Sequence, residues 1–142
     1  MKTTIYGQDA RVLDFMAEHL SDCELPADSV TLGVESDGEL IAGVAFENYT
    51  KTGISIHVAA LEGRHWLSKD FLFRVFAYPF LQLGCHRVTG LVRVDNLKAQ
   101  KLDEHLGFVR EGIIRRGATD GTDFIMYGML KEECRWIKVK ND

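Results

Sequence analysis

The chain has 142 residues, of which 46% are hydrophobic and 27% are charged, and its formal net charge is −4. This length predicts a single domain over residues 1–142, and the composition excludes a disordered chain. Because no apolar run approaches the roughly 18 residues of a membrane span and the N-terminus lacks a secretory pattern, we expect a cytoplasmic protein without a membrane partner.

Other classes of protein are disfavoured by the types and spacing of residues. Cys23, Cys85 and Cys134 are far apart and odd in number, which disfavours a disulfide framework and a thiolate zinc site. The five histidines show no HExxH spacing, so no metal site is expected. The acidic balance disfavours a nucleic-acid partner, since phosphate contacts supply most of the affinity of such binders.

The first part of the chain predicts a helix followed by three strands. Apolar residues recur at helical spacing over residues 9–20. Residues 30–35 and 39–49 flank a tight Ser-Asp-Gly turn at 36–38, which is typical of a hairpin. Residues 54–60 alternate in apolar and polar character and predict a third strand.

A long apolar helix is predicted over residues 68–83. Ser68 is its expected N-cap and Gly84 its expected end. Pro79 lies inside the pattern and predicts a kink, because proline removes a hydrogen bond and clashes with the preceding turn.

The last part of the chain returns to strands. Residues 87–94 form a predicted buried strand, and residues 95–106 a helix that ends before Gly107. Residues 108–115 and 122–130 predict a closing pair of strands.

The order of these elements predicts the fold class. Alternation of strand and helix from residue 53 onward implies one parallel strand pair, residues 54–61 and 87–94, whereas the other pairs are antiparallel. We therefore expect an α/β fold with a mixed, mostly antiparallel sheet and a central parallel strand pair flanked by helices. A ligand crevice is expected at the carboxyl ends of the parallel pair.

Three groups of residues carry a resemblance to a known family, roughly from residue 30 onward. The second half of the chain contains Asn96, Ala99, Gly107-Phe108 and Glu111-Gly112 in order. This spacing resembles the closing half of a GNAT-family N-acetyltransferase. The tail from Asp123 to Trp136 is similar to the RimJ/RimL-like branch, which acetylates amino termini. The segments at 48–50 and 91–96 resemble small GNAT-like proteins of tailed phages.

The resemblance implies an enzyme that moves an acetyl group from acetyl-CoA to an amine acceptor. The amine attacks directly in a ternary complex, in a cleft between residues 54–61 and 87–94. The main chain of Val58, Ala59 and Ala60 is expected to pair with the pantetheine arm like an added strand. A backbone N–H near Ala59 or Ala60 is expected to polarise the thioester carbonyl.

The pyrophosphate is expected at residues 62–68, where a helix begins and free N–H groups favour an anion. The family's phosphate loop carries glycines, whereas the aligned positions here hold Gly63, Trp66 and Ser68. Two alternatives follow from this departure. Either Arg64, Leu67 and backbone N–H groups hold the phosphates along a different path, or the coenzyme binds poorly.

Two positions on the last predicted helix bear on catalysis. Asn96 is expected to cap the helix and also to hydrogen-bond the cofactor arm or a water. In many family members a Tyr seven residues later protonates the leaving sulfur, and here that position is Asp103. An ordinary Asp is ionised at neutral pH, so we expect Asp103 to lie on the solvated helix surface and the site to work without a side-chain acid.

The general base has three candidates: His57, Glu47 and a chain of waters. A histidine suits proton transfer near neutrality, although His57 lies in mid-strand, where a sheet-face histidine is the alternative. Glu47 lies beside Asn48 and Tyr49, where we expect the substrate amine to enter. A solvated edge carboxylate is the alternative for Glu47.

Two further hypotheses remain beside an acetyltransferase. Trp66 and Asp103 suggest a GNAT-like module that lost turnover and binds an acyl-CoA or a partner protein. A transferase acting on nucleic-acid bases is least consistent with the acidic balance. The acceptor cannot be read from the sequence and includes a protein N-terminus, a lysine and a small amine. A homodimer is common for such folds, and the sequence leaves the oligomeric state open.

Overall fold

A seven-stranded sheet organises the molecule. The computed structural model describes residues 1–20 and 24–138, so Cys23 lies outside the described residues. The strands are β1 Lys2–Tyr6, β2 Val30–Ser36, β3 Glu39–Glu47, β4 Gly53–Ala60, β5 Arg87–Arg93, β6 Val109–Ile114 and β7 Phe124–Leu130. The α-helices are α1 Asp9–His19, α2 Lys69–Ala77 and α3 Leu97–Leu106. Short turns of 3-10 helix follow at Lys131–Glu133 and Arg135–Ile137.

The strand order is β1-β2-β3-β4-β5-β7-β6. Every neighbouring pair is antiparallel except β4 with β5, which is parallel. The expected mixed, mostly antiparallel sheet with a central parallel pair is confirmed. The sequence did not predict β1, because it is a five-residue strand in which only Ile5 is buried.

Two hydrophobic clusters cover the two faces of the sheet. The larger one lies under α2 and α3 and includes Phe71, Phe76 and Tyr127. The smaller one lies under α1 and includes Val12 and Met16. The helix α1 comes close to β3 because Gly43 has no side chain, and a Cβ there would lie 2.9 Å from both Val12 and Met16.

The predicted helix over 68–83 is interrupted rather than only kinked. Regular α-helix ends at Ala77, and residues Tyr78–Gln82 form one π-helical turn in which the Leu83 N–H bonds the Tyr78 carbonyl at 3.0 Å. Pro79 has no N–H to continue the α-helical ladder, which explains the change. Gly84 ends the segment with φ +71°, as predicted.

Two absences concern function. Within residues 1–20 and 24–138, no helix is long and apolar enough to cross a membrane. The same residues contain no cluster of three or more His, Cys, Asp or Glu side chains arranged to hold a metal ion.

Candidate active site

A gap opens between the two central strands. The strands β4 and β5 pair at three positions only, of which the last joins Ser55 to Thr89. Beyond it, no described strand pairs with the facing edges of residues 56–60 and 90–93. Along the gap both strands stay paired on their outer sides, β4 with β3 and β5 with β7. The inner edges therefore present main-chain donors and acceptors that an extended ligand can use.

The segment predicted to receive the pyrophosphate connects β4 to α2. Ser68 caps α2 as expected, and its Oγ accepts from the Phe71 N–H at 3.1 Å. Trp66 is partly buried and packs edge-on against Phe71, with ring centroids 6.2 Å apart. Leu67 packs against the larger cluster. The Trp66 indole thus packs against the first turn of α2.

Charged side chains near this segment are already paired. Arg64 donates to the Glu39 carboxylate at 2.7 Å, and both side chains are exposed. Lys98 at the start of α3 lies 3.6 Å from Glu62, so this ion pair links the two sides of the gap. Exposed pairs of this kind contribute less than about 1 kcal/mol and exchange readily. Either cation can therefore turn to an anionic ligand at small cost.

Asn96 begins α3 as its N-cap. Its Oδ1 accepts from the Ala99 N–H at 3.1 Å, and the residue is exposed. The expected cap is therefore observed. The cap leaves the amide NH₂ of Asn96 able to bind another group.

His57 and Glu47 are brought together across β3 and β4. His57 pairs with Ala45 and Glu47 pairs with Ser55, so the two side chains are diagonal neighbours on one face. His57 Nε2 lies 3.3 Å from Glu47 Oε1, and the side chains are 15% and 24% exposed. A carboxylate at this distance can hold an imidazole in a fixed orientation. Because side chains alternate along a strand, His57 shares the α1 face with Ala59.

Asp103 lies at the gap on the opposite face. A Cβ built on Gly90 would be 3.7 Å from Asp103 Oδ2 and 3.9 Å from the Ile56 side chain. Gly90 and Ile56 are the first residues beyond the last β4–β5 pair. The expectation of a solvated Asp103 is wrong, because the residue is partly buried. Burial raises the pKa of the Asp103 carboxyl to about 7, with a smaller contribution from the negative charge of Glu104.

Asn48 and Tyr49 lie at the closed end of the gap. The predicted strand over 39–49 ends at Glu47, since Asn48 adopts a left-handed conformation with φ +56°. Both residues are exposed and precede β4 at the end where it pairs with β5. They are close in sequence to Glu47 and remote from the segment over 62–68.

The arrangement brings four features together around one opening. It has an unpaired strand edge, a helix N-terminus, an imidazole–carboxylate pair on one face and a protonatable carboxyl on the other. The sequence missed the place of Asp103. Its signal was the spacing of Ala99, Asp103 and Leu106, which puts the aspartate on the buried stripe of α3.

Comparison with known proteins shows which chains this one is similar to. No family model matches the chain. It is 25% identical over 116 residues to a Bacillus subtilis (strain 168) protein named "Putative ribosomal N-acetyltransferase YdaF". That match covers 73% of this chain and 61% of the relative, so the chain spans less than two thirds of that protein's length.

Two solved structures illustrate the similarity of fold. A chimera of the spermidine N-acetyltransferase SpeG from Vibrio cholerae with hSSAT has a TM-score of 0.71 at 19% identity, covering 96% of this chain and 99% of that one. A GNAT-family acetyltransferase from Bacillus anthracis has a TM-score of 0.60 at 19% identity, covering 72% and 67%. The chain therefore has the fold of GNAT acetyltransferases.

Proposed function

We propose that this protein is an N-acetyltransferase that moves an acetyl group from acetyl-CoA to a primary amine by direct attack in a ternary complex. The observation that carries the proposal is the separation of β4 from β5 after three paired positions. Two adjacent parallel strands normally pair throughout, because an unpaired buried edge is costly. An opening kept between fully paired outer neighbours is a built site for an extended ligand.

The donor's pantetheine arm would pair with the main chain of Val58, Ala59 and Ala60 as an added strand. Its pyrophosphate would lie against residues 62–68 and the first turn of α2, where free N–H groups and the helix dipole favour an anion. Arg64 would leave its exposed partner Glu39 to bind a phosphate, and Trp66, Leu67 and Ser68 would form the wall of that subsite.

For the chemistry, we assign the general base to His57, oriented by Glu47. The 3.3 Å contact between them supports this assignment. The base takes a proton from the amine nitrogen as that nitrogen attacks the thioester carbonyl carbon. A backbone N–H near Ala59 or Ala60 would stabilise the oxyanion, and the Asn96 amide would bind the donor's arm.

We propose a protein N-terminus, a lysine or a small polyamine as the acceptor, entering beside Asn48 and Tyr49. The named activities of the B. subtilis relative and of SpeG support amines of these kinds. The tail that is similar to the RimJ/RimL-like branch favours an amino terminus. Free, buried Cys85 and Cys134 fit a reducing compartment, and we propose the cytoplasm.

The proposal is tested by titrating the protein with acetyl-CoA in a calorimeter and measuring thiol release with spermidine and with a peptide that has a free N-terminus. We expect saturable binding, and thiol release that depends on one of these acceptors. Saturable binding without thiol release for any amine would favour the non-catalytic module suggested by Trp66. Absence of binding at millimolar acetyl-CoA would contradict both.

A further inference from the structure

Gln100 is a buried polar residue on α3, with 6% of its surface exposed. Its Nε2 donates to the carbonyl oxygen of Arg93 at 3.2 Å and to that of Val94 at 3.0 Å. Its Oε1 accepts from a guanidinium nitrogen of Arg110 at 2.9 Å. Because carbonyl oxygens only accept and a guanidinium only donates, these partners fix the direction in which the Gln100 amide points.

The partners of Gln100 belong to different parts of the fold around the gap. Arg93 is the last residue of β5, and Val94 follows it in the corner that leads to α3. Arg110 lies on the edge strand β6, and its Nε also donates to Glu104 of α3 at 3.0 Å. Gln100 therefore joins the end of β5, the helix α3 and the edge strand in one hydrogen-bonded unit.

The corner that Gln100 holds carries Asn96. The Arg93 carbonyl that accepts from the Gln100 side chain also accepts from the Asn96 N–H at 3.0 Å. The Asn96 carbonyl in turn accepts from the Gln100 N–H at 3.2 Å. The main chain of Asn96 is thus linked to Gln100 on both sides, so the place of the Asn96 side chain beside the gap depends on Gln100.

Packing alone gives little reason for a glutamine at this position. The side chains of α3 that pack against the larger cluster are Ala99, Leu102 and Leu106. A methionine has nearly the volume of a glutamine and would pack beside them without polar groups to satisfy. A fully bonded buried polar network instead specifies one arrangement of the parts that it joins. Here those parts meet at the corner beside the gap.

We propose that Gln100 is a positioning residue for the acyl donor, a role that rests on the proposed function. It fixes the corner over residues 93–96, so that the Asn96 amide is held where the arm of acetyl-CoA enters the gap. Gln100 acts through Asn96 and does not have to touch the donor. Its loss should therefore weaken binding of acetyl-CoA and leave the chemical step unchanged once the donor is bound.

The test uses Gln100→Met, which removes the amide at nearly constant volume. We expect the Kd for acetyl-CoA, measured by calorimetry, to rise about 10-fold, because small displacements of a positioned group have effects of that size or larger. With whichever amine is acetylated, kcat at saturating acetyl-CoA should change less than about twofold. Gln100→Glu keeps an acceptor for Arg110 but cannot donate, so it should weaken binding as well. Gln82→Met, the same change at an exposed glutamine, is the matched control and should bind acetyl-CoA as the wild type does.

A double-mutant cycle with Asn96→Ser separates positioning from general stability. Serine keeps an oxygen that can cap α3 but lacks the amide NH₂. If Gln100 acts through Asn96, Gln100→Met should raise the Kd less than about twofold in the Asn96→Ser background. A merely structural glutamine would lower the free energy of unfolding and leave the Kd for acetyl-CoA unchanged. That result, or an equal rise of the Kd in both backgrounds, would overturn the role of Gln100.

Hydrogen exchange gives a readout without any ligand. The Ala99 N–H donates to Asn96 Oδ1 at 3.1 Å, so a displaced Asn96 should make this amide exchange about 10-fold faster in Gln100→Met. An unchanged exchange rate would also overturn the role of Gln100. If the wild type binds acetyl-CoA and Gln100→Met binds it equally well, only the positioning role fails. If the wild type does not bind acetyl-CoA, the proposed function fails and the positioning role fails with it.

Discussion

At the gap, each face of the sheet carries one ionisable side chain, and the two side chains have opposite surroundings. On the α1 face, His57 Nε2 lies 3.3 Å from the Glu47 carboxylate. On the α3 face, Asp103 has no donor among the described residues, and burial favours the form that carries a proton and no charge. The imidazole is thus held beside a carboxylate, whereas the Asp103 carboxyl contacts no donor among the described residues.

This difference teaches how a small domain can place two chemically different side chains at one opening. Pairing requires a second side chain at the right register position, which β3 supplies through Glu47. Desolvation requires only that nothing polar be near, which Gly90 and Ile56 supply. The predictions below separate these two causes.

The largest expected effect comes from removing the imidazole of His57. His57→Ala should lower kcat/KM for the acetylated amine by about 100- to 1000-fold, because a positioned base contributes about that much to proton transfer. Steady-state thiol release measures it. His86→Ala, at an exposed position on the chain before β5, is the matched control. Equal activities for the two variants would show that His57 is not the general base.

Filling the gap should have the next largest effect. Gly90→Val places methyl groups between Ile56 and Asp103, where a Cβ alone fits at ordinary contact distance. We expect kcat/KM for acetyl-CoA to fall about 10- to 100-fold, since displacement of reacting groups by about 1 Å has that cost. Gly112→Val in β6, where a Cβ meets nothing within 4 Å, is the control. A gap that tolerates valine at 90 without loss is not the donor site.

Burial of the Asp103 carboxyl should also make the free energy of unfolding depend on pH. Below about pH 3, Asp103 is protonated in the folded and the unfolded states and contributes nothing. As pH rises toward 7, the unfolded state ionises first, because its pKa is 3.8 and the folded pKa is about 7. The folded state therefore loses stability through this window and keeps the penalty above it.

Asp103→Asn removes that penalty. We expect its free energy of unfolding at pH 8 to exceed the wild-type value by about 2 kcal/mol, about half of what the full shift would give, because the carboxyl keeps some solvent. The difference should vanish near pH 3, where the carboxyl is protonated in both states. Urea denaturation at the two pH values measures it, and a difference that does not depend on pH would show that Asp103 is not desolvated.

The smallest expected effect concerns the neighbouring carboxylate. Tyr127 is fully buried, and burial together with its hydrogen bond to Glu104 raises the pKa of its hydroxyl to about 12. Tyr127→Phe should lower the free energy of unfolding by about 1 kcal/mol, the usual value of such a bond. Urea denaturation at pH 7 measures this difference, and an unchanged free energy of unfolding would show that the hydrogen bond between Tyr127 and Glu104 does not stabilise the fold.

Most of the fold was predictable because local patterns determine it. Alternation and helical spacing located six strands and three helices, and their order implied the parallel pair. The strand β1 was missed because one buried residue gives no pattern. The end of α2 was misplaced because Pro79 allows either a kink or a change to π-helical geometry, and tertiary packing decides between them.

The site was less predictable because it depends on distant contacts. His57 and Glu47 were candidates, but their contact depends on the β3–β4 register, which spacing alone does not reveal. The point where β4 leaves β5 depends on β3 and β7. The environment of Asp103 had a signal in the stripe with Ala99 and Leu106, yet the general preference of aspartate for solvent favoured the wrong surface position.

The three-position seam between β4 and β5 has a further consequence. Each arm beyond the seam is held along its length by an outer neighbour, so the cleft stays open in the free protein. A donor molecule then binds in a preformed groove, and β4 and β5 do not have to separate for it to enter. Complex formation should be fast, with little rearrangement of backbone, and most of the entropy loss should fall on the incoming molecule.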